Sequence, residues 1–124
     1  MCPVYINRIA SIHAESRNEK PYFSAQEPDY KEMITNANLR RRMSRMIKMG
    51  VACGLECLKD IPSEKVDAII TATGLGCLAD TEKFMNALMD NREQMLNPTA
   101  FIQSTFNTVG AQLALLLKIH AYNV

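Results

Sequence analysis

Cysteine and histidine are the first side chains to weigh for chemistry, and this sequence scatters them. Cysteines stand at positions 2, 53, 57 and 77, and histidines at 13 and 120. Cys53 and Cys57 are one helical turn apart and would fit half of a metal site, but no second Cys/His pair has suitable spacing and zinc takes about four ligands. They read as buried free thiols, and neither a metal nor a cofactor is expected. Neither His13 nor His120 lies near a Ser, Cys or Asp in a recognisable nucleophile motif, so no catalytic residue is assigned. Gly74 and Gly76, in "TATGLGCL", follow an apolar run but lack the third glycine of a dinucleotide loop. A tight turn that brings backbone close to a partner or ligand is the better reading. Arg40, Arg41, Arg42, Arg45 and Lys48 put five positive charges into nine residues with no acid among them. That is a solvated helix face or a docking site for an acidic partner.

The bulk composition is that of a globular domain. In 124 residues the hydrophobic fraction is 48% and the charged fraction 22%, with a net charge of +1. No bulk attraction to nucleic acid or to a membrane follows, so any partner preference must come from local charge. The longest apolar run, residues 113–117, is too short to span a bilayer. The first residues lack a sustained apolar region of signal-peptide length. A cytoplasmic protein with reduced thiols is expected.

Hydrophobic spacing predicts the elements that must position these groups. Residues 4–13, anchored by Val4, Ile6, Ile9 and Ile12, read as a strand, and residues 14–30 as a long irregular connection. Residues 38–60 give the clearest helix. Leu39, Met43, Met46, Ile47, Gly50, Gly54 and Cys57 fall on one face, with Arg41, Arg45 and Lys48 opposite. Gly50 and Gly54 cost about 1 kcal/mol each inside a helix, which close packing against a neighbour would offset. "VDAIITAT", residues 66–73, reads as a buried parallel strand. Asp80 is placed to cap a helix running to about Asn91 with Phe84, Met85, Leu88 and Met89 inward. Asn97-Pro98 is a helix start, and the apolar tail carries that helix to about Ile119, with "HAYNV" opening a strand. The alternation means α/β, with right-handed crossovers onto a mostly parallel or mixed sheet.

Three segments, in order, resemble the N-terminal part of the β-ketoacyl-[acyl-carrier-protein] synthases, condensing enzymes of the thiolase fold. "LRRRMSRMIKMGVACGLECLKD" resembles the family's R-[RK]-M-[DS]-R helix. "DAIITATGLGCLADTEKF" resembles its strand ending in G-[ST]-G-x-G-G. "LNPTAFIQSTFNTVGAQLAL" resembles its S-P-x(8)-N-x-x-[AG] segment. The resemblance covers residues 38–124 and implies a role in fatty-acid or polyketide-type acyl chain elongation, with acyl carrier protein as partner. It also implies pairing with a second copy or with a ketosynthase partner subunit. It places Leu75, Ala100 and Phe101 along an acyl pocket, and Arg41 and Arg42 on the carrier-protein docking face. Asn107 matches the family Asn, and Thr105 and Thr108 can bond local backbone at the start of the last helix.

The departures are specific. "VYINRIASIHAE" lacks the glycines of the family's opening I-T-G-x-G strand. The family's nucleophilic cysteine, in T-A-C-x-[ST]-G, would fall a few residues past Val124, and its two histidines lie in the C-terminal half. The resemblance therefore implies that residues 1–124 are the N-terminal portion of a synthase-like domain, inactive as they stand. A chain-length-factor-like subunit that pairs with an active ketosynthase is the alternative, and an unrelated α/β binding module a third. Claisen condensation needs a thiolate, an oxyanion site and a histidine-like group, and the sequence presents no such set.

Overall fold

The computed structural model describes residues 3–14 and 24–124. Six helices and one parallel strand pair occupy them: α1 (Tyr30–Met33), α2 (Ala37–Arg42), α3 (Arg45–Cys57), β1 (Ala68–Ile69), α4 (Leu78–Asp90), α5 (Pro98–Ser104), α6 (Thr108–Leu117) and β2 (Tyr122–Asn123), with a 3-10 turn at Ser63–Lys65. The class is helix-rich α/β. Ala68 pairs with Tyr122 and Ile69 with Asn123 in parallel, and Thr71 N–H donating to the Val124 carbonyl at 2.7 Å extends the ladder.

The core forms where α3 crosses α6. Ile34, Met43, Ile47, Val51, Cys77 and Leu113 are buried together. The glycine expectation holds at this crossing. A Cβ on Gly50 would lie 2.7 Å from Val109 Cγ1, and one on Gly54 would lie 2.7 Å from Leu113 Cδ2. Glycine lets α6 approach closely enough for Leu113 to bury. Gly110, on α6, seats that helix on the strand pair, where a Cβ would meet Thr71 Oγ1 at 2.9 Å and Ile69 Cγ2 at 3.2 Å.

Several expectations are corrected. Residues 4–13 form no strand, and Val4, Tyr5, Ile6 and Ile9 are exposed. Their alternation is imperfect, and among the described residues no strand lies alongside, apart from one antiparallel bridge between Ala14 and Ala25. Arg8 instead reaches the C-terminal end of α3, donating to the Lys59 carbonyl at 2.5 Å, with Asp60 3.9 Å away. Of the connection over residues 14–30, positions 15–23 lie outside the described residues, as does Cys2. Its last part is ordered: Asp29 Oδ1 accepts from Lys31 N–H at 2.8 Å and starts α1.

The helix expected over residues 38–60 is two helices. Met43 and Ser44 are extended (ψ 133° and 170°), which turns Met43 into the core. In a continuous helix the Arg42 carbonyl would accept from Met46 N–H. Here the Gln103 side-chain amide donates to it from α5. The helix expected from Asn97 to Ile119 also breaks, and α5 and α6 lie 107° apart. Its start is as expected, with Asn97 Oδ1 accepting from Thr99 N–H at 2.9 Å and Pro98 in the first turn. The hydroxyls explain the break. The Thr105 and Thr108 hydroxyls lie 2.9 and 2.6 Å from the Ile102 carbonyl and 2.8 Å from one another; with one proton each, they make two of these three bonds at a time. These local bonds replace the helical ladder where the chain turns. Asn107 takes the N-cap position of α6 without a side-chain capping bond.

β1 is shorter than the strand expected over residues 66–73 and is not buried: Ala68 is exposed, Ile69 is half-buried and Ile70 beyond it is exposed. The residue at the N-cap of α4 is Cys77, not Asp80, which lies buried in the first turn. Met85 and Met89 are exposed rather than inward.

Candidate functional site

Two features meet where α2 gives way to α3: a basic face and an apolar groove. Arg41 and Arg42 close α2 and are exposed. Cations at a helix C-terminus are favoured by the helix dipole. Among the described residues neither forms a salt bridge or a side-chain hydrogen bond. Two other cations of the cluster, Arg40 and Arg45, are less free than their spacing implies. Arg40 Nη1 donates to the Ile34 carbonyl. Arg45 Nε donates to Glu27 Oε1 at 2.5 Å, and Tyr30 Oη donates to Glu27 Oε2 at 2.6 Å. The Tyr30 hydrogen bond, then Arg45, holds the Glu27 carboxyl below its ordinary value. Burial, then Glu27, pushes the Tyr30 phenol up. The patch without an acid opposite it is thus narrower than five charges, and centres on Arg41 and Arg42. Glu27 carried no signal in the sequence, because it lies eighteen positions from Arg45.

The groove has a volume of about 340 Å³ and runs between the N-terminal turns of α3 and α4. Met46, Met49, Leu75 and Leu78 supply apolar walls, and Ser44, Arg45 and Asp80 a polar edge. Leu75 sits at the tip of the turn between β1 and α4. Thr73 Oγ1 accepts from Gly76 N–H at 3.0 Å, and Gly76 has φ +61°, a conformation glycine adopts without strain. The turn holds Leu75 outward, 78% exposed. Ala100 and Phe101 lie elsewhere and do not line this groove. Ala100 is buried, while Phe101 is 55% exposed. The Phe101 ring packs on Phe84 of α4 with centroids 5.4 Å apart.

The thiols are poorly set for nucleophilic work. Burial, and then the neighbouring Asp80, pushes the Cys77 thiol up. Burial also raises Cys53, with a smaller contribution from Cys57. The reactive species is the thiolate, so neither thiol is primed at neutral pH. Ser44, Asp80 and Gln103 carried no functional reading in the sequence. Asp80 was read as a cap.

The family model described as beta-ketoacyl synthase, N-terminal domain, matches residues 13–122. The chain belongs to that family, and its role is ketosynthase-like, in acyl chain elongation. Ketosynthase domains typically work with acyl carrier protein and form dimers. No curated protein matches the chain. Among the described residues no single helix is long and apolar enough to cross a membrane.

Proposed function

We propose that this chain supplies an acyl-groove wall and a carrier-protein docking face to a β-ketoacyl synthase-like assembly of thiolase fold in the cytoplasm, without itself making the carbon–carbon bond. One observation carries this reading: the basic face and the groove adjoin. The groove begins at Ser44, two residues after Arg42. An acidic carrier protein held at Arg41 and Arg42 would present its tethered acyl chain beside Leu75. Arginine suits such a face because its guanidinium pairs bidentately with carboxylates. Ala100 and Phe101 belong to a second stretch of acyl-contacting wall on α5, completed by a second copy or a ketosynthase partner subunit. The exposed side chains of Met85, Met89, Phe101, Ile102 and Phe106 support such pairing. The raised Cys53 and Cys77 thiols support a non-catalytic part.

Charge reversal tests docking. Arg41→Glu with Arg42→Glu is expected to lower carrier-protein affinity strongly and in a salt-dependent way with the melting temperature kept, since both side chains are exposed. Unchanged affinity would leave only a solvated face. Leu75→Phe is expected to narrow the accepted chain lengths, read by mass spectrometry of loaded carrier protein. An unchanged profile removes Leu75 from the groove's function.

A further inference from the structure

Residues 38–49 contain neither Pro nor Gly, and their apolar spacing is that of one continuous helix, yet the chain breaks at Met43–Ser44. Ser44, at the N-cap of α3, makes no side-chain capping bond. A helix broken without Pro or Gly needs a group that enters its hydrogen-bond ladder. Gln103 is such a group. It is 8% exposed, and its Nε2 donates to the Arg42 carbonyl, one of those left open at the C-terminal end of α2. In a continuous helix Met46 N–H would take that carbonyl, and the buried Gln103 amide would lose this acceptor. The sequence thus supports two arrangements of residues 38–49, and Gln103 favours the broken one.

The two arrangements point Arg41 and Arg42 in different directions. In a continuous helix successive residues are about 100° apart around one axis, so both guanidiniums would be fixed relative to the buried stripe of Ile47 and Val51 on α3. In the broken arrangement α2 has its own direction, and Arg40 Nη1 ties it to the Ile34 carbonyl. On α5, Gln103 shares its buried face with Ala100, three positions back, while Phe101 and Ile102 are exposed. We propose that Gln103 is a positioning residue for carrier-protein docking: its amide keeps α2 and α3 apart and so sets the direction in which Arg41 and Arg42 meet the carrier protein. This deepens the docking reading and rests on it.

The test titrates an acidic holo-acyl carrier protein calorimetrically into the full chain at low salt. Gln103→Met keeps the length of the side chain and removes the donor. It is expected to weaken carrier binding about threefold to fivefold, as the loss of one exposed ion pair would, and to flatten its salt dependence. In an Arg42→Ala background the same change should cost much less, because Gln103 acts through that residue. A general loosening of the fold would weaken both backgrounds alike. Unchanged affinity in Gln103→Met, or equal losses in the two backgrounds, overturns the positioning role while docking stands. Should the variant not fold, nuclear magnetic resonance of the wild-type chain decides: the Gln103 side-chain amide signals are expected to shift as carrier protein is added, although the residue is buried, and unmoved signals overturn the role. A wild-type chain that binds no carrier protein overturns the docking reading and this one with it.

Discussion

Helices α3 and α4 are both 13 residues long, and both are amphipathic, yet the fold treats them in opposite ways. α3 buries Ile47, Val51 and Ala52 completely. α4 buries one residue, and it is an aspartate. Small residues make the difference. α3 offers Gly50 and Gly54 to α6, so the two backbones close up and Leu113 fills the gap. α4 meets α5 through the larger Phe84–Phe101 pair, and Met85 and Met89 stay in solvent. An apolar stripe thus decides which face of a helix seeks cover, but steric access decides whether it gets any. α3 and α6 hold the domain together, while α4 and α5 present apolar surface outward.

The sharpest way to break that contrast is to shave both helices. Ile47→Ala is expected to cost about 2–5 kcal/mol in denaturant unfolding, the range for truncating a fully buried aliphatic side chain. Met89→Ala, on the exposed stripe of α4, should stay within about 0.5 kcal/mol in the isolated chain. Similar losses from the two would mean that α4 is as well packed as α3. A smaller effect should come from crowding the helix crossing. Gly54→Val places a branched side chain against Leu113, and overpacking of this kind costs about 1–3 kcal/mol. Adding Leu113→Ala should return part of that loss, and purely additive costs would show that the close approach is not what Gly54 provides.

Sequence patterning reached Ile47 and the glycine packing on α3 and the Asn97-Pro98 start, because each is encoded within a few neighbouring residues; it named Met46, which is exposed, for the buried face and passed over Val51 and Ala52. It missed the two helix breaks for opposite reasons. The break at Met43–Ser44 depends on Gln103, whose amide takes over the carbonyl of Arg42, sixty-one positions away. The break at Thr105–Asn107 was written locally, in threonines able to bond the Ile102 carbonyl, but the apolar run beyond them dominated the periodicity. The site divides along the same line. Exposure of Arg41 follows from short-range pattern, whereas Leu75 was singled out by the family resemblance alone. The Glu27–Arg45 pair and the buried Asp80 are products of tertiary packing.

On the α5 side, the cap gives an intermediate test. Asn97→Ala removes the oxygen that accepts from Thr99 N–H and is expected to cost about 1 kcal/mol by chemical denaturation. Because α5 also carries Gln103, the same variant should loosen the α2–α3 break, seen as faster amide exchange near Met43 than near Val51. Equal exchange at both would show that α5 does not support the break.

The smallest expected effect lies in the acid titration of Glu27. Its folded-state pKa is lowered, first by the Tyr30 hydroxyl and then by Arg45. A carboxylate with a lowered pKa contributes stability that is fully present above its unfolded value and lost as pH falls through the folded one. The contribution of the pair should therefore be intact at neutral pH and fade below the ordinary carboxylate value of 4.5. Tyr30 runs the other way: its raised pKa favours the neutral phenol, a contribution present below its ordinary value of 10.0 and lost as pH rises through the raised one. Between those limits the Tyr30–Glu27–Arg45 chain holds the segment before α1 against α3. The change in melting temperature should be slight, because Glu27 is solvent-accessible and exposed pairs contribute little. The informative readout is the basic face. Glu27→Gln releases the Arg45 charge toward Arg41 and Arg42, so carrier-protein affinity should rise slightly at neutral pH and low salt. The wild-type and variant affinities should approach one another as pH falls through the lowered Glu27 pKa, where the wild type loses that charge. A variant indistinguishable from wild type at neutral pH would show that Arg45 takes no part in docking and that the face ends at Arg42.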